Sequence, residues 1–311
     1  MSIIATRVQE ENKRTKYTES PPFPRNMLIE PTNACNLRCS FCPNRLSYRP
    51  RVTLPINLTQ KILNEAYEAG TREVGFYLTG ESFLHPELED MVYLAAMCGY
   101  SYIYITTNGV AADKKRVESL SQNGLHSIKF SINAGKLSYS KVHGRDYYDR
   151  VIQNLHDALA IRENAEKGLG ALRRVMVSSV WNPSTEWEIS NLKDELSPLV
   201  DDFFLVKEVE RISIKENERK KVTCSLPFNR LHVTSEGFLS FCCADFNNDL
   251  TYADAASCSL LEAWNNETAK LFRNRFLSGD ISNTLCESCL FGCNHSVLPI
   301  SPYVTRDYKC L

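Results

Sequence analysis

Between residues 27 and 207 six runs of one texture alternate with five of another, and that alternation limits what the chain can fold into. Short β-branched and aromatic runs at 27–30, 73–78, 102–106, 127–132, 174–180 and 203–207 read as strands. Stretches with helical apolar spacing lie between them, at 58–69, 86–99, 113–123, 147–164 and 186–196. Strands alternating with amphipathic helices build a parallel sheet from repeated βα units. Eight such units would close a barrel, but 311 residues leave no room for two more once the unlike C-terminal third is set aside. The expectation is an α/β fold: a partial (βα)6 TIM barrel with a small C-terminal α+β domain.

The flanks differ from this core. Residues 1–24 are polar and end in Pro21, Pro22 and Pro24, an arm or loose cover before a barrel at 25–210. Residues 211–311 open on a charged run at 211–221 and continue into a hairpin around Glu236-Gly237, a turn pair suited to positive φ. A helix is expected over 260–276 and loop beyond it. The formal net charge of −1 gives no polyanion-binding surface, so nucleic acid is a poor partner. No apolar run approaches the ~20 residues of a spanning helix, and no signal h-region is present. The expected setting is cytoplasmic, away from membranes.

Twelve cysteines in such a chain point to metal or redox chemistry, not to a disulfide framework. Cys35, Cys39 and Cys42 form one group, and eight of the others fall in the last third. Cys35-x3-Cys39-x2-Cys42 places three soft ligands in a loop directly after the first strand, a set suited to zinc, copper(I) or an iron–sulfur cluster. Three ligands leave a fourth position open, where a substrate or cofactor binds in a catalytic centre.

The string from Glu30 to Pro43, with those cysteines and Phe41, resembles the radical S-adenosylmethionine (radical SAM) superfamily. The resemblance implies that Cys35, Cys39 and Cys42 hold a [4Fe–4S] cluster whose open iron is chelated by SAM, and that SAM is cleaved to a hydrogen-abstracting 5′-deoxyadenosyl radical. It places Phe41 near the adenine. Thr79-Gly80-Glu81 takes the place of a Gly-Gly-Glu motif, with Thr for the first glycine and Glu81 retained to accept from the methionine amino group. Asn108 closes the third strand, and Ser131 and Asn133 close the fourth, as donors near the ribose and carboxylate. Arg145 is a candidate cation for that carboxylate. A flavodoxin- or ferredoxin-type reductant is the partner implied.

Cys224, Gly237, Cys242 and Cys286-x2-Cys289 resemble the SPASM and twitch auxiliary-cluster domains, and the resemblance implies one further [4Fe–4S] cluster held by Cys224, Cys242, Cys286 and Cys289. In the rival arrangement Cys293 and Cys310 join Cys286 and Cys289 in a distal cluster. Cys243 is a candidate hydrogen-atom donor, expected to point away from Cys242 because neighbours on a strand face opposite ways; the alternative is a small buried hydrophobe. Cys98, Cys258 and His85 read as structural. The reaction expected is oxidation of a small carbohydrate or aminocyclitol substrate, for which Tyr100, Tyr102, Tyr104, Tyr147 and Tyr148 are candidate lining residues. Epimerisation and peptide modification are the alternatives. An iron–sulfur electron carrier or a zinc-bound scaffold is the non-enzymatic one.

Overall fold

The computed structural model describes residues 2–207, 224–292 and 296–301. The first helix, α1 (Ile3–Arg14), precedes the barrel. Strands β1 (Asn26–Ile29), β2 (Glu73–Phe76), β3 (Tyr102–Thr107), β4 (Ser127–Ser131), β5 (Arg174–Trp181) and β6 (Asp202–Lys207) follow. The helices between them are α2 (Ile56–Glu68), α3 (Leu88–Cys98), α4 (Lys114–Gln122), α5 (Tyr139–His143), α6 (Tyr148–Glu166) and α7 (Glu186–Leu196). All six strands run parallel, giving the partial barrel that the alternation predicts.

Period-two alternation sorts the strand residues. In β3, Ile103, Ile105 and Thr107 are buried against the helix layer, while Tyr102 and Tyr104 line a cavity on the other side of the sheet. Gly75 makes room there: a Cβ would come within 2.6 Å of the Tyr104 ring.

The C-terminal region adds α8 (Leu226–Asn229), β7 (Arg230–Val233), β8 (Phe238–Ser240), β9 (Thr251–Asp254), α9 (Leu260–Trp264), α10 (Glu267–Ser278) and α11 (Leu285–Phe291). Strand β7 pairs in parallel with β1, and β8 and β9 continue antiparallel, so one nine-stranded sheet runs through both regions. The expected hairpin gains a third strand. The single helix expected over 260–276 is two, because the Asn266 side chain accepts from the Ala269 amide and caps a new start. Part of the expected final loop is α11. The charged run at 211–221 lies outside the described residues, as do Cys293 and Cys310.

The polar N-terminal arm is α1, and polar contacts hold it. Ser2 donates to Asp202 at 2.6 Å, Arg7 pairs with Glu73 at 2.5 Å, and Glu11 pairs with Arg230. These tie α1 across the starts of β6, β2 and β7. Residues 19–22 dock the C-terminal region: the buried Trp264 indole donates to Pro21 and Pro22 carbonyls, and Arg273 to the Glu19 carbonyl. Arg49 joins the regions more deeply, donating to Glu30 at 2.5 Å and to Glu236.

Candidate active site

The first cysteine group sits at the C-terminal ends of the strands, where active sites of such barrels form. The loop after β1 is held by its neighbours. Asn44 donates to the Asn33 and Thr79 carbonyls, and Arg51 to the Asn33 and Asn44 carbonyls. Gly80 presses on it so closely that a Cβ would lie 2.1 Å from the Thr32 carbonyl oxygen. Thr79 faces inward, its hydroxyl and amide both donating to Glu30.

Burial pushes the Cys35 thiol up to about 11 and the Cys39 thiol to about 12, and the neighbouring thiols and Glu81 add to both. Burial also raises Cys42. Glu81 is buried and accepts from Phe83 N and the Thr107 hydroxyl on Oε1, and from Asn108 N on Oε2. Burial nonetheless holds its carboxyl above the ordinary value. Asn108 spans the two, its Nδ2 3.9 Å from Cys35 Sγ and 2.7 Å from Asn36 Oδ1. One exposed and two half-buried thiols beside a buried carboxyl form a set that cationic ligands would stabilise. Among the described residues no three His, Cys, Asp or Glu converge on a single ion. The donor set fits an iron–sulfur cluster with a cationic cofactor beside it.

A cavity of about 180 Å³ opens beside this loop, between Phe41 and Val142 on one side and Asn133, Val180 and Asn182 on the other. Phe41 and Asn133, singled out separately in the sequence, line it together. Asn133 is fixed by Val180 N, which donates to its Oδ1 at 2.9 Å. Ser131 ends β4 next to it, and Arg145 is exposed beyond Gly144.

The structure adds His143, which sequence reasoning missed. Its Nδ1 lies 3.2 Å from Cys39 Sγ, and its Nε2 accepts from Asn133 N at 3.3 Å. With Nε2 accepting, the proton sits on Nδ1 and points at the sulfur. Burial draws the imidazole down to about 4, which keeps it neutral. The Arg38 and Ser40 amides donate to the His143 and Val142 carbonyls, so α5 and the cysteine loop dock as one unit.

In the second group, Cys286 and Cys289 lie three residues apart on α11 and share a face. Burial raises Cys286, and Cys224 and Cys289 add to the effect; Cys242 in turn feels Cys286. Cys224, Cys286 and Cys289 act on one another through space and Cys242 feels Cys286, so the four thiols fall in one neighbourhood. Cys243 is beyond the end of β8, so strand alternation does not separate it from Cys242. The Cys242 thiol hydrogen-bonds to it and, with His232 and Arg230 nearby, draws it down. His232 is fully buried, yet among the described residues neither ring nitrogen makes a well-aligned hydrogen bond. Cys98 and Cys258 are structural, donating to Asn64 Oδ1 and the Asp254 carbonyl. His85 is structural too, bridging Leu54 O and Glu87 N. Of the tyrosines, Tyr102 and Tyr104 line the lumen, whereas Tyr100 is buried and bonded to the Leu63 carbonyl.

Comparison with known proteins agrees with this arrangement. The Radical SAM superfamily model matches residues 29–164, and the SPASM model, an iron–sulfur cluster-binding domain, matches 224–293. Residues 29–164 are thus a radical SAM domain, followed by a SPASM iron–sulfur domain. Its relatives include GTP 3′,8-cyclase of Chlorobaculum tepidum, 31% identical over 134 residues, covering 42% of this chain and 40% of that protein. PqqA peptide cyclase of Streptomyces rochei is 33% identical over 110 residues, covering 35% and 30%. The chain thus spans less than half the length of these two. Among solved structures, BtrN in complex with AdoMet and 2-DOIA has a TM-score of 0.57 at 17% identity, covering 88% of this chain and 94% of that one. Streptococcus suis SuiB bound to S-adenosylmethionine has a TM-score of 0.58 at 16% identity, covering 96% and 76%. At these identities the likeness is one of fold. The SPASM and radical SAM matches imply [4Fe–4S] clusters and SAM as cofactors.

Proposed function

We propose that the protein is a radical SAM oxidoreductase that removes hydrogen from a small substrate, of the carbohydrate or aminocyclitol kind, in the barrel lumen. Cys35, Cys39 and Cys42 would hold the SAM-binding cluster, and Cys224, Cys242, Cys286 and Cys289 an auxiliary one. Bound there, the first cluster and SAM supply a hydrogen-abstracting radical, and the second supplies an electron acceptor. Glu81, fixed by Phe83 N, Thr107 and Asn108 N, offers its less-occupied Oε2 to the methionine ammonium. Phe41 and Asn133 enclose the adenosyl portion in the cavity beside the loop, with Ser131 at the mouth of the lumen. Arg145 remains a candidate for the SAM carboxylate, reaching in from the surface. α1 closes the far end of the lumen, which limits entry of water to a reactive intermediate.

The observation that supports this reading is the grouping of Cys224, Cys242, Cys286 and Cys289 in one neighbourhood of the C-terminal region, with Cys243 acting through space on Cys224 and on the lumen residues Tyr77 and Lys129. A fully ligated cluster has no iron for a substrate and suits electron transfer. The likeness to BtrN in complex with AdoMet and 2-DOIA, which extends over 94% of that chain, supports a small substrate. The test is metal and sulfide analysis of anaerobically reconstituted protein: about eight irons per chain in the wild type and about four in Cys286→Ala, which keeps SAM cleavage. One or two zincs and no sulfide would overturn it.

Cys243 supports a second reading, epimerisation, because its thiol acts through space on both of those lumen residues. Deuterium entering product from deuterated water and vanishing in Cys243→Ala would establish that alternative; unchanged incorporation rules the thiol out.

A further inference from the structure

The barrel encloses a cavity of about 410 Å³, within the range of small-molecule sites. Its floor is α1 with the first residues of the strands, and its upper end reaches Tyr77, Thr106 and Lys129. Those three share one row of the sheet. Thr106 pairs with Lys129, and the residue before Tyr77, Phe76, pairs with Ile105, which places Tyr77 beside Thr106. Ser131 stands two residues further along β4, about 6.6 Å nearer the strand ends where the SAM site forms.

Most charge along this cavity is already matched. Glu73 is paired with Arg7 and accepts from Asn26, and Glu11 is paired with Arg230. The Tyr104 and Tyr102 hydroxyls bond Asn26 and Ser127. Lys129 differs. Its one close partner among the described residues is the face of Tyr77, 5.8 Å from Nζ to the ring centre. Asp202 and Cys243 act on it only through space, opposing the burial that lowers its pKa. The Tyr77 hydroxyl likewise has no hydrogen-bond partner among the described residues, and burial keeps it a neutral donor, raised to about 12. Cationic side chains outnumber carboxylates six to three in the lining. A desolvated ammonium and a phenol that face the same space, with no acceptor of their own, form an anion-binding pair.

We propose that this cavity is the lower part of the substrate site and takes a small molecule bearing a carboxylate or phosphate, with the anionic group bound by Lys129 Nζ and the Tyr77 hydroxyl. The proposal rests on the radical SAM reading above, because that reading puts the reacting carbon at the strand ends. Anchoring the anion one row below Ser131 then sets it roughly 6–7 Å from the carbon that loses hydrogen, a separation of a few bonds. Binding energy from this non-reacting end holds the carbon in place.

The experiment is calorimetric titration of the anaerobically reconstituted, SAM-bound protein with inorganic phosphate and, separately, with succinate. The wild type is expected to bind at least one of them, and which one distinguishes a phosphate-bearing from a carboxylate-bearing substrate. Lys129→Met should weaken that binding about tenfold or more, and Tyr77→Phe should weaken it several-fold. Lys129→Arg, which keeps the cation, should retain it. Thermal unfolding checks that each variant is folded; if Lys129→Met is not, Tyr77→Phe and Lys129→Arg still decide. Binding of neither anion by the wild type, or equal binding by the wild type and the folded variants, overturns the proposal. Release of 5′-deoxyadenosine by the wild type with dithionite is measured on the same preparation. Its failure would sink the radical SAM reading, whereas unchanged anion binding in the variants with that release intact would sink only the anion subsite.

Discussion

Replacing Arg49 with Met should destabilise the whole molecule, because Arg49 sits where the barrel, the cysteine loop and the C-terminal sheet meet. Its side chain is 1% exposed, as is that of Glu30, and Glu236 is 8% exposed. It donates to Glu30 Oε2 at 2.5 Å, to Glu236 Oε1 at 2.8 Å and to Ser235 Oγ at 3.2 Å. Removing it strands two carboxylates away from water, and breaking such a buried pair costs about 3–5 kcal/mol. The lower half of that range is expected, because Glu30 keeps the Thr79 amide and hydroxyl and the Ser235 amide as donors. At roughly 2 °C per kcal/mol for a chain of this size, the midpoint of thermal unfolding should fall by about 6–8 °C. Burial pushes the Glu30 carboxyl up, but Arg49, Thr79 and Ser235 together outweigh it and hold it below 4.5. A depressed carboxyl contributes stability that is in place above its unfolded value and is lost as pH falls through the folded one. A measurement at pH 7–8 therefore sees all of it. The assay is calorimetry under anaerobic conditions. Adding Glu30→Gln and Glu236→Gln to Arg49→Met should restore part of the loss. A loss below about 1 kcal/mol would refute the argument that this network ties the regions together.

His143→Phe should keep its iron but lower the midpoint potential of the SAM-site cluster, because the Nδ1 proton no longer stabilises charge on Cys39. A tenfold shift in the reduced-to-oxidised ratio corresponds to about 59 mV, read by titration with spin-resonance detection; an unmoved potential would remove His143 from that role. Gly80→Ala should lower iron loading severely, since its methyl would enter the Thr32 carbonyl; wild-type iron content would show that the loop shifts freely. Asp249 is raised to about 6, by burial first and by Asp245 second. A raised carboxyl gives stability below its unfolded value that is lost as pH rises through about 6, so Asp249→Asn should be more stable than wild type at pH 7.5. Equal midpoints at that pH would contradict the shift.

What the sequence makes legible is what is local. Alternating strand and helix textures place all six barrel strands, because each signal lies within ten residues. The cysteine loop is readable because its three thiols lie within eight positions, Cys35 to Cys42. The features that escape are held by distant partners. Nothing near His143 marks it: its sulfur partner Cys39 is 104 residues away, and a lone histidine at the end of a five-residue helix has no periodic signature. Helix α1 has no buried residue and is fixed by ion pairs to strands far along the chain, so its polar sequence reads as a loose arm. The Arg49 network is equally dispersed. The break between α9 and α10 did carry a signal, Asn266 followed by acidic Glu267 at a helix start, which apolar spacing alone overran. Cys243 shows the opposite error, an alternation rule applied one turn beyond the strand that would have supported it.

The most direct test of the central claim is release of 5′-deoxyadenosine from SAM by anaerobically reconstituted protein under dithionite, with the wild type beside Cys39→Ala. The account predicts release by the wild type and none by the variant. An iron-loaded wild type that leaves SAM intact, or a variant that cleaves it equally well, would contradict it.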